Sequence, residues 1–271
     1  MTTASPGGEA DGFYDKRYSD EWRQLQDRVF GEAYDDYFGQ SSLTTTADYD
    51  RMFCWLSVSK GSQALDVACG GGAPALRLAR TFGCSVTGID INATAVAAAQ
   101  NAAAQSGLAA SANFVLQDAK SGLPFAGNSF DALVCVDALP HIGHHQATFR
   151  EWSRVLRPGG RMVFTDLVLT GPISNTELSE RSASGPIVVA PSGYGEQHLA
   201  DAGLILQRCE NLTSTLAESA RRHVDARARH AKELLALEGS ATFETLNRYR
   251  KTILLLARER RLSHFAFAAT K

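Results

Sequence analysis

The sequence predicts an α/β protein built on a doubly wound, mostly parallel sheet whose last strand runs antiparallel. Three observations carry that expectation. Between Gln63 and Ile142 short apolar runs alternate with helical patterns, as in a parallel sheet with crossover helices on both faces. The first strand-to-helix crossing is nearly bare backbone, in "LDVACGGGAP" from Leu65 to Pro74. The two final strand-like runs are separated by a helical stretch from Ser214 to Arg261, too long for a hairpin connection.

The elements follow in order. Phe13 to Phe38 carries aromatics among charges at mostly helical spacing, which predicts amphipathic helices laid over the body of the protein. A polar loop, "GQSSLTTT", precedes a helix over Ala47–Leu56. Strand "QALDVA", helix "PALRLARTFG", strand "SVTGID", helix "ATAVAAAQNAAAQSG", strand "ANFVLQD" and strand "FDALVCVDAL" come next. Helix "HQATFREWSRVL" stops at "RPGG", where proline and glycine turn the chain into strand "RMVFTDLVL". A Gly/Pro/Ser-containing connection from Gly171 to Tyr194 leads to helix "GEQHLADAG" and strand "LILQRCENL". Two helices rich in Arg, His and Leu fill Ser214–Arg261, and "LSHFAFAAT" closes the chain as the seventh strand. The predicted division is a disordered tail at 1–12, an N-terminal helical lid at 13–60 and a core at 61–212. A helical cover at 213–261 and the last core strand at 262–271 complete it.

Bulk properties narrow the function. At 271 residues, 44% hydrophobic and 21% charged, the chain suits one sizeable soluble domain with an appendage. A net charge of -2 makes no electrostatic case for nucleic acid or an anionic membrane as the main partner. Five scattered cysteines without a C-x-x-C pair indicate neither a zinc site nor a disulfide framework, and fit a reducing, cytoplasmic setting. The polar, Gly-rich start is no signal peptide. The longest apolar-looking stretch, Ala93–Ala112, is alanine broken by polar residues, too weak to span a bilayer. A small-molecule partner remains, with a homodimer left open.

The glycine loop admits two cofactor classes. Gly70-x-Gly72-x-x-Ala75, with Asp90 about twenty residues on at the end of the second strand, satisfies the relaxed dinucleotide fingerprint. A nicotinamide-dependent oxidoreductase therefore stands as one reading. Against it, Asp66 sits at the exit of the first strand, where a pyrophosphate gains nothing from negative charge and a cationic group would. Asp118 adds an acid at the exit of the third strand, and no catalytic Tyr-Lys pair is identifiable.

"ALDVACGGG", "VTGIDIN", "FVLQDAKSGLPF", "FDALVCVDALPHI", "WSRVLRPGGRMVFTD" and "LADAGL", taken in that order from Leu65 to Gly203, resemble the successive motifs of class I S-adenosylmethionine-dependent methyltransferases. The nearest branch is similar to ubiquinone/menaquinone-type and natural-product, including sugar, O-methyltransferases. The resemblance implies a Rossmann-like core, S-adenosyl-L-methionine as cofactor and S-adenosyl-L-homocysteine as product. It implies that Ala68, Gly70 and Gly72 pack their backbone against the methionine part and that Asp66 holds its ammonium. Asp90 would accept both ribose hydroxyls, Ile91 would cover the adenine face, Asp118 would accept from the adenine amine and Ala119 would offer its amide. Val136 and Asp137 would meet the methyl-bearing end, and the loop at Gln40 would cap the carboxylate. The chain departs from the family in carrying Ala68 where glycine is usual and Gln40-Ser41 where many relatives have an aromatic pair.

Methyl transfer to a hydroxyl needs a base besides positioning. Asp137, His141, His144, His145 and Asp166 fall near the ends of the fourth and fifth strands. His141, an imidazole titrating near neutrality, and Asp166 form the expected catalytic dyad, as in sugar O-methyltransferases that carry a histidine and an acid at these positions. Pro140 stands where those enzymes have the first of two histidines. No metal is specified by the spacing of these residues. C- or N-methylation of a metabolite or lipid, and a non-catalytic cyclase-like member, are the alternatives within this fold.

Overall fold

The computed structural model describes residues 20–182 and 187–271; the expected tail, Phe13, Tyr14 and Tyr18 lie outside them. The described residues form an eight-stranded sheet in the order β3-β2-β1-β4-β5-β8-β7, with β6 paired to β5. The strands are β1 (Gln63–Val67), β2 (Ser85–Asp90), β3 (Ala112–Leu116), β4 (Phe130–Cys135), β5 (Leu156–Leu169), β6 (Ala190–Pro191), β7 (Ile205–Asn211) and β8 (Leu262–Thr270). Pairing is parallel except that β8 runs antiparallel to both β5 and β7. The seven expected strands are all present, and β6 is a two-residue addition. Winding goes outward from β1 through β2 to β3 and then restarts on the other side at β4. The loops after β1 and β4 therefore diverge, opening a crevice at the carboxyl ends of the strands.

Helices α1 (Asp20–Ala33), α2 (Thr46–Trp55), α3 (Ala73–Phe82), α4 (Ala93–Gln105), α5 (Leu139–Ile142), α6 (His145–Val155), α7 (Asn175–Arg181), α8 (Tyr194–Asp201), α9 (Thr213–Arg229), α10 (Ala231–Glu238) and α11 (Ser240–Arg258) complete the described residues. One apolar core joins α2, α3 and α4 to one sheet face through Tyr49, Met52, Phe53, Leu78 and Phe114. A second, with Phe149, Trp152, Leu199 and Phe267, joins α6 and α8 to the other. The strands between are buried on both sides, which is why their sequences read as nearly continuous apolar runs. No described helix is long and apolar enough to cross a membrane, and all five cysteines are free.

Three local expectations change. The fourth strand stops at Cys135 because Asp137 takes a left-handed backbone (φ 55°), and the short α5 follows. The "RPGG" stretch lies within β5, which resumes pairing with β4 after a register shift between Phe130 and Ala132. Ser214–Arg261 contains three helices, broken at His230 and at Gly239 (φ 77°), because glycine accepts that backbone without strain.

Helices α9 and α11 pack on each other and on β8 through Leu216, Ala220, Ile253, Leu256 and Leu262. Leu25 and Val29 of α1 pack on Ala226 and Leu234. Arg227 Nη2 meets Glu238 Oε2 at 2.6 Å, and Arg227 Nε donates to Asn247 Oδ1 at 2.7 Å, both buried between these helices. The N-terminal helix and the late helices thus form one layer above the crevice.

Candidate active site

A cavity of about 990 Å³ occupies the crevice, at the upper end of the range for small-molecule sites (roughly 300–1,000 Å³). Its floor is the set of loops after β1, β2, β3 and β4. Its roof includes Phe30 of α1 and Leu246, Tyr249 and Arg250 of α11.

The β1 loop brings the first group of expected residues together. Asp66 is buried and its Oδ2 has no hydrogen-bond partner. Burial, with the negative charge of Asp90 added, pushes its carboxyl up to about 8. Ala68 adopts φ 58° and Gly70 φ 53°, and both border the cavity. The left-handed backbone explains why glycine suits position 68, and alanine tolerates it at a cost of about 1–2 kcal/mol. Gly71 lines the cavity, whereas Gly72 does not. A Cβ on Gly72 would lie 2.8 Å from both Ala99 Cβ and Phe114 Cζ. Its bareness lets α3 pack against α4 and β3, so close packing accounts for the glycine here.

Asp90 closes this group. Its Oδ2 accepts from the Gly70 amide at 2.8 Å and its Oδ1 from the Asn92 amide at 2.9 Å. Burial raises its carboxyl and these amide bonds oppose the rise. Each oxygen keeps lone-pair capacity toward the cavity. Ile91 is exposed beside it. Asp118 caps the 3-10 turn Ala119–Ser121 through the Lys120 amide, at 2.8 Å, and both Asp118 and Ala119 border the cavity.

Other expected residues are placed differently. Gln40 is fully buried; its Oε1 accepts from the Phe38 amide at 3.0 Å and its Nε2 donates to Thr46 Oγ1 at 3.4 Å. It holds the loop from inside while Ser41 and Ser42 face the cavity. Val136 lines the wall, and so does Asp137, but the Asp137 carboxylate is committed elsewhere. Its Oδ2 accepts from the amides of Leu43 and Thr44 (2.8 and 3.1 Å) and from Thr44 Oγ1 (3.0 Å). Its Oδ1 meets Thr165 Oγ1 and His264 Nε2, both at 2.8 Å. Despite burial, the His264 and Thr165 contacts and the Leu43 amide hold its carboxyl down at about 2. Asp137 is a buried tie between the 42–44 loop, β5 and β8, with no oxygen left to act as a base.

The expected His141–Asp166 dyad is not assembled. His141, on α5, is exposed on the cavity wall. Asp166 is buried within β5; its Oδ1 accepts from the Leu167 amide at 2.8 Å and its Oδ2 has no partner. Burial raises its carboxyl to about 7, against the nearby charges of His264 and Arg181. A His–Asp contact does form between His264 and Asp137. A histidine inside the apolar strand "LSHFAFAAT" was the signal for it, since a buried polar side chain requires a partner. Arg181, buried at the end of α7 and bordering the cavity, has no comparable signal; in sequence it reads as the charged end of a surface helix. Among the described residues no His/Cys/Asp/Glu cluster could hold a metal ion.

Comparison with known proteins bears on the family and the fold. Residues 65–164 match a family model described as a methyltransferase domain. The chain is 29% identical over 260 residues to the 27-O-demethylrifamycin SV methyltransferase of Amycolatopsis mediterranei, covering 92% of this chain and 93% of that one. It is 36% identical over 126 residues to the methyltransferase GfsG of Streptomyces halstedii, an alignment spanning 46% of this chain and 45% of that one. Among solved structures, the [4+2]-cyclase SpnF superposes with a TM-score of 0.76 at 22% identity, covering 100% of this chain and 98% of that one, a likeness of fold.

Proposed function

The chain belongs to the class I S-adenosylmethionine-dependent methyltransferases that act on small molecules, and from that premise we propose that it methylates a hydroxyl of a secondary metabolite or glycoside. The observation that carries the reading is the pair of carboxylates at the adjacent strand ends, Asp66 with an orphaned buried oxygen and Asp90 with spare acceptor capacity. A ligand with an ammonium and a pair of vicinal hydroxyls answers both. When bound, S-adenosylmethionine supplies a methyl carbon made electrophilic by its sulfonium.

The remaining roles belong to the chain. Asp66 takes the ammonium, relieving a carboxylate that burial disfavours. Asp90 accepts the ribose hydroxyls, Asp118 and Ala119 meet the adenine edge, and Ile91 covers its face. Gly70, Gly71 and Ala68 present backbone at close approach, with Ser41 and Ser42 at the carboxylate end. Val136, Pro140 and His141 wall the end where transfer occurs, and His141 removes the acceptor proton. The helices within 20–60 and 213–261 act as a lid that excludes water and aligns the acceptor with the methyl. The O-methyl reading draws its support from the rifamycin methyltransferase, which is similar over nearly its whole length.

Titration calorimetry with S-adenosylhomocysteine and, separately, NAD tests the cofactor reading. Binding of the former alone, lost in Asp90→Ala, is expected; binding of NAD alone overturns the reading. Incubation with labelled methyl donor and panels of hydroxylated, aminated and C-nucleophilic metabolites then tests the acceptor atom, and label on nitrogen or carbon only would refute the hydroxyl.

A further inference from the structure

Arg181 is 5% exposed and borders the cavity, and its guanidinium takes part in none of the side-chain hydrogen bonds or ion pairs formed among the described residues. A guanidinium largely withdrawn from bulk water favours a bonded counter-charge, and buried charges in proteins are normally paired. The Asp166 carboxylate acts on it without forming a direct bond, so a bonded counter-group must come from what the cavity holds. Its location says which part. Asp166 on β5 feels its charge, and β5 is separated from β2 by β1 and β4, about 14 Å at the usual strand spacing. Arg181 thus lies on the opposite side of the crevice from Asp90 and Asp118, beyond the groups assigned to the cofactor.

The surroundings define the ligand. Leu167, Ile187, Pro140 and Leu246 line the cavity with Arg181, so the body of the acceptor at this end is apolar. One guanidinium fork matches one planar carboxylate through two parallel N–H···O bonds. Asp166, with its unpaired oxygen, disfavours a second negative charge beside it. Arg23, Arg250 and Asp27 are the other charged groups on the roof side of the cavity. We propose that Arg181 anchors a single carboxylate borne by an otherwise apolar methyl acceptor. The use made of that acceptor rests on the methyl-transfer reading; the binding itself does not.

Calorimetry with octanoate, octyl phosphate and octanol as probes tests this, on protein alone and on protein saturated with S-adenosylhomocysteine. Octanoate is expected to bind at least about tenfold more tightly than octanol, as a charge-assisted pair requires, and more tightly than octyl phosphate. Arg181→Met should remove the octanoate preference while leaving octanol and S-adenosylhomocysteine affinities unchanged, and Arg181→Lys should restore part of it. Equal binding of octanoate and octanol to the wild-type protein overturns the proposal even if the variants do not fold. A preference for octyl phosphate overturns the carboxylate assignment, and an unchanged octanoate preference in Arg181→Met overturns the role of Arg181. Failure of S-adenosylhomocysteine to bind would instead count against the methyltransferase reading, and octanoate binding to the protein alone would still decide the role of Arg181.

Discussion

Replacing Asp66 with asparagine should stabilise the ligand-free protein while weakening its grip on the cofactor. The Asp66 carboxyl is raised in the fold to about 8 from an ordinary value of 3.8. Its unfolded form therefore ionises from about pH 4 upward while the folded form keeps its proton. The unfolded state binds fewer protons between these values, so this position costs nothing at low pH and increasingly destabilises the fold as pH rises toward 8. The slope is about 1.4 kcal/mol per pH unit for a fully dry site. Water in the cavity that Asp66 borders screens the charge, so a gain of about 1–3 kcal/mol for Asp66→Asn between pH 5 and pH 8 is expected. Urea unfolding of wild type and variant across that range reads it directly. Calorimetry on the same samples should show S-adenosylhomocysteine affinity reduced at least about tenfold, because the neutral amide cannot pair with an ammonium. A variant less stable than wild type at pH 8, or a difference that does not grow with pH, would refute the argument that this carboxylate is held against its own solvation.

Asp137→Ala should cost about 3–5 kcal/mol in urea unfolding, because it strands His264 and the amides of Leu43 and Thr44 inside the protein. Since the Asp137 carboxyl is held down to about 2, its contribution is present above about pH 4 and is lost as pH falls toward 2, so the gap between wild type and variant should narrow in acid. Gly72→Ala forces a Cβ to within 2.8 Å of Ala99 and Phe114 at a φ of 81°, and should lower the thermal midpoint in calorimetric scans. His141→Ala should lower kcat by about 10²–10⁴-fold, with S-adenosylhomocysteine affinity unchanged; a wild-type rate would remove His141 as the base.

The central strands were legible because they are short apolar runs, and burial on both faces leaves no other composition workable; the edge strand β7, largely exposed, is the exception. The carboxylates at the strand ends were legible for the same reason, since Asp66, Asp90 and Asp118 occupy places where a core residue would be apolar. The helix count between Ser214 and Arg261 was not, because the break at His230 lies within a continuous run of helix-compatible residues, with no glycine or proline to mark it.

What the sequence determined by itself is local: the alternation of elements, the bare loop after β1 and the acids that face the crevice. Only the tertiary structure decided which of those polar groups are free to bind. Asp137 is occupied by Leu43 and Thr44 from one side and by His264, 127 positions away, from the other, while Asp66 and Arg181 are left with unmet demands. Gln40 turns inward and Ser41 outward, and Gly71 rather than Gly72 meets the cavity. Secondary structure is set by neighbours in the chain, but hydrogen-bond satisfaction is set by neighbours in space, and in a doubly wound sheet those come from opposite ends of the sequence.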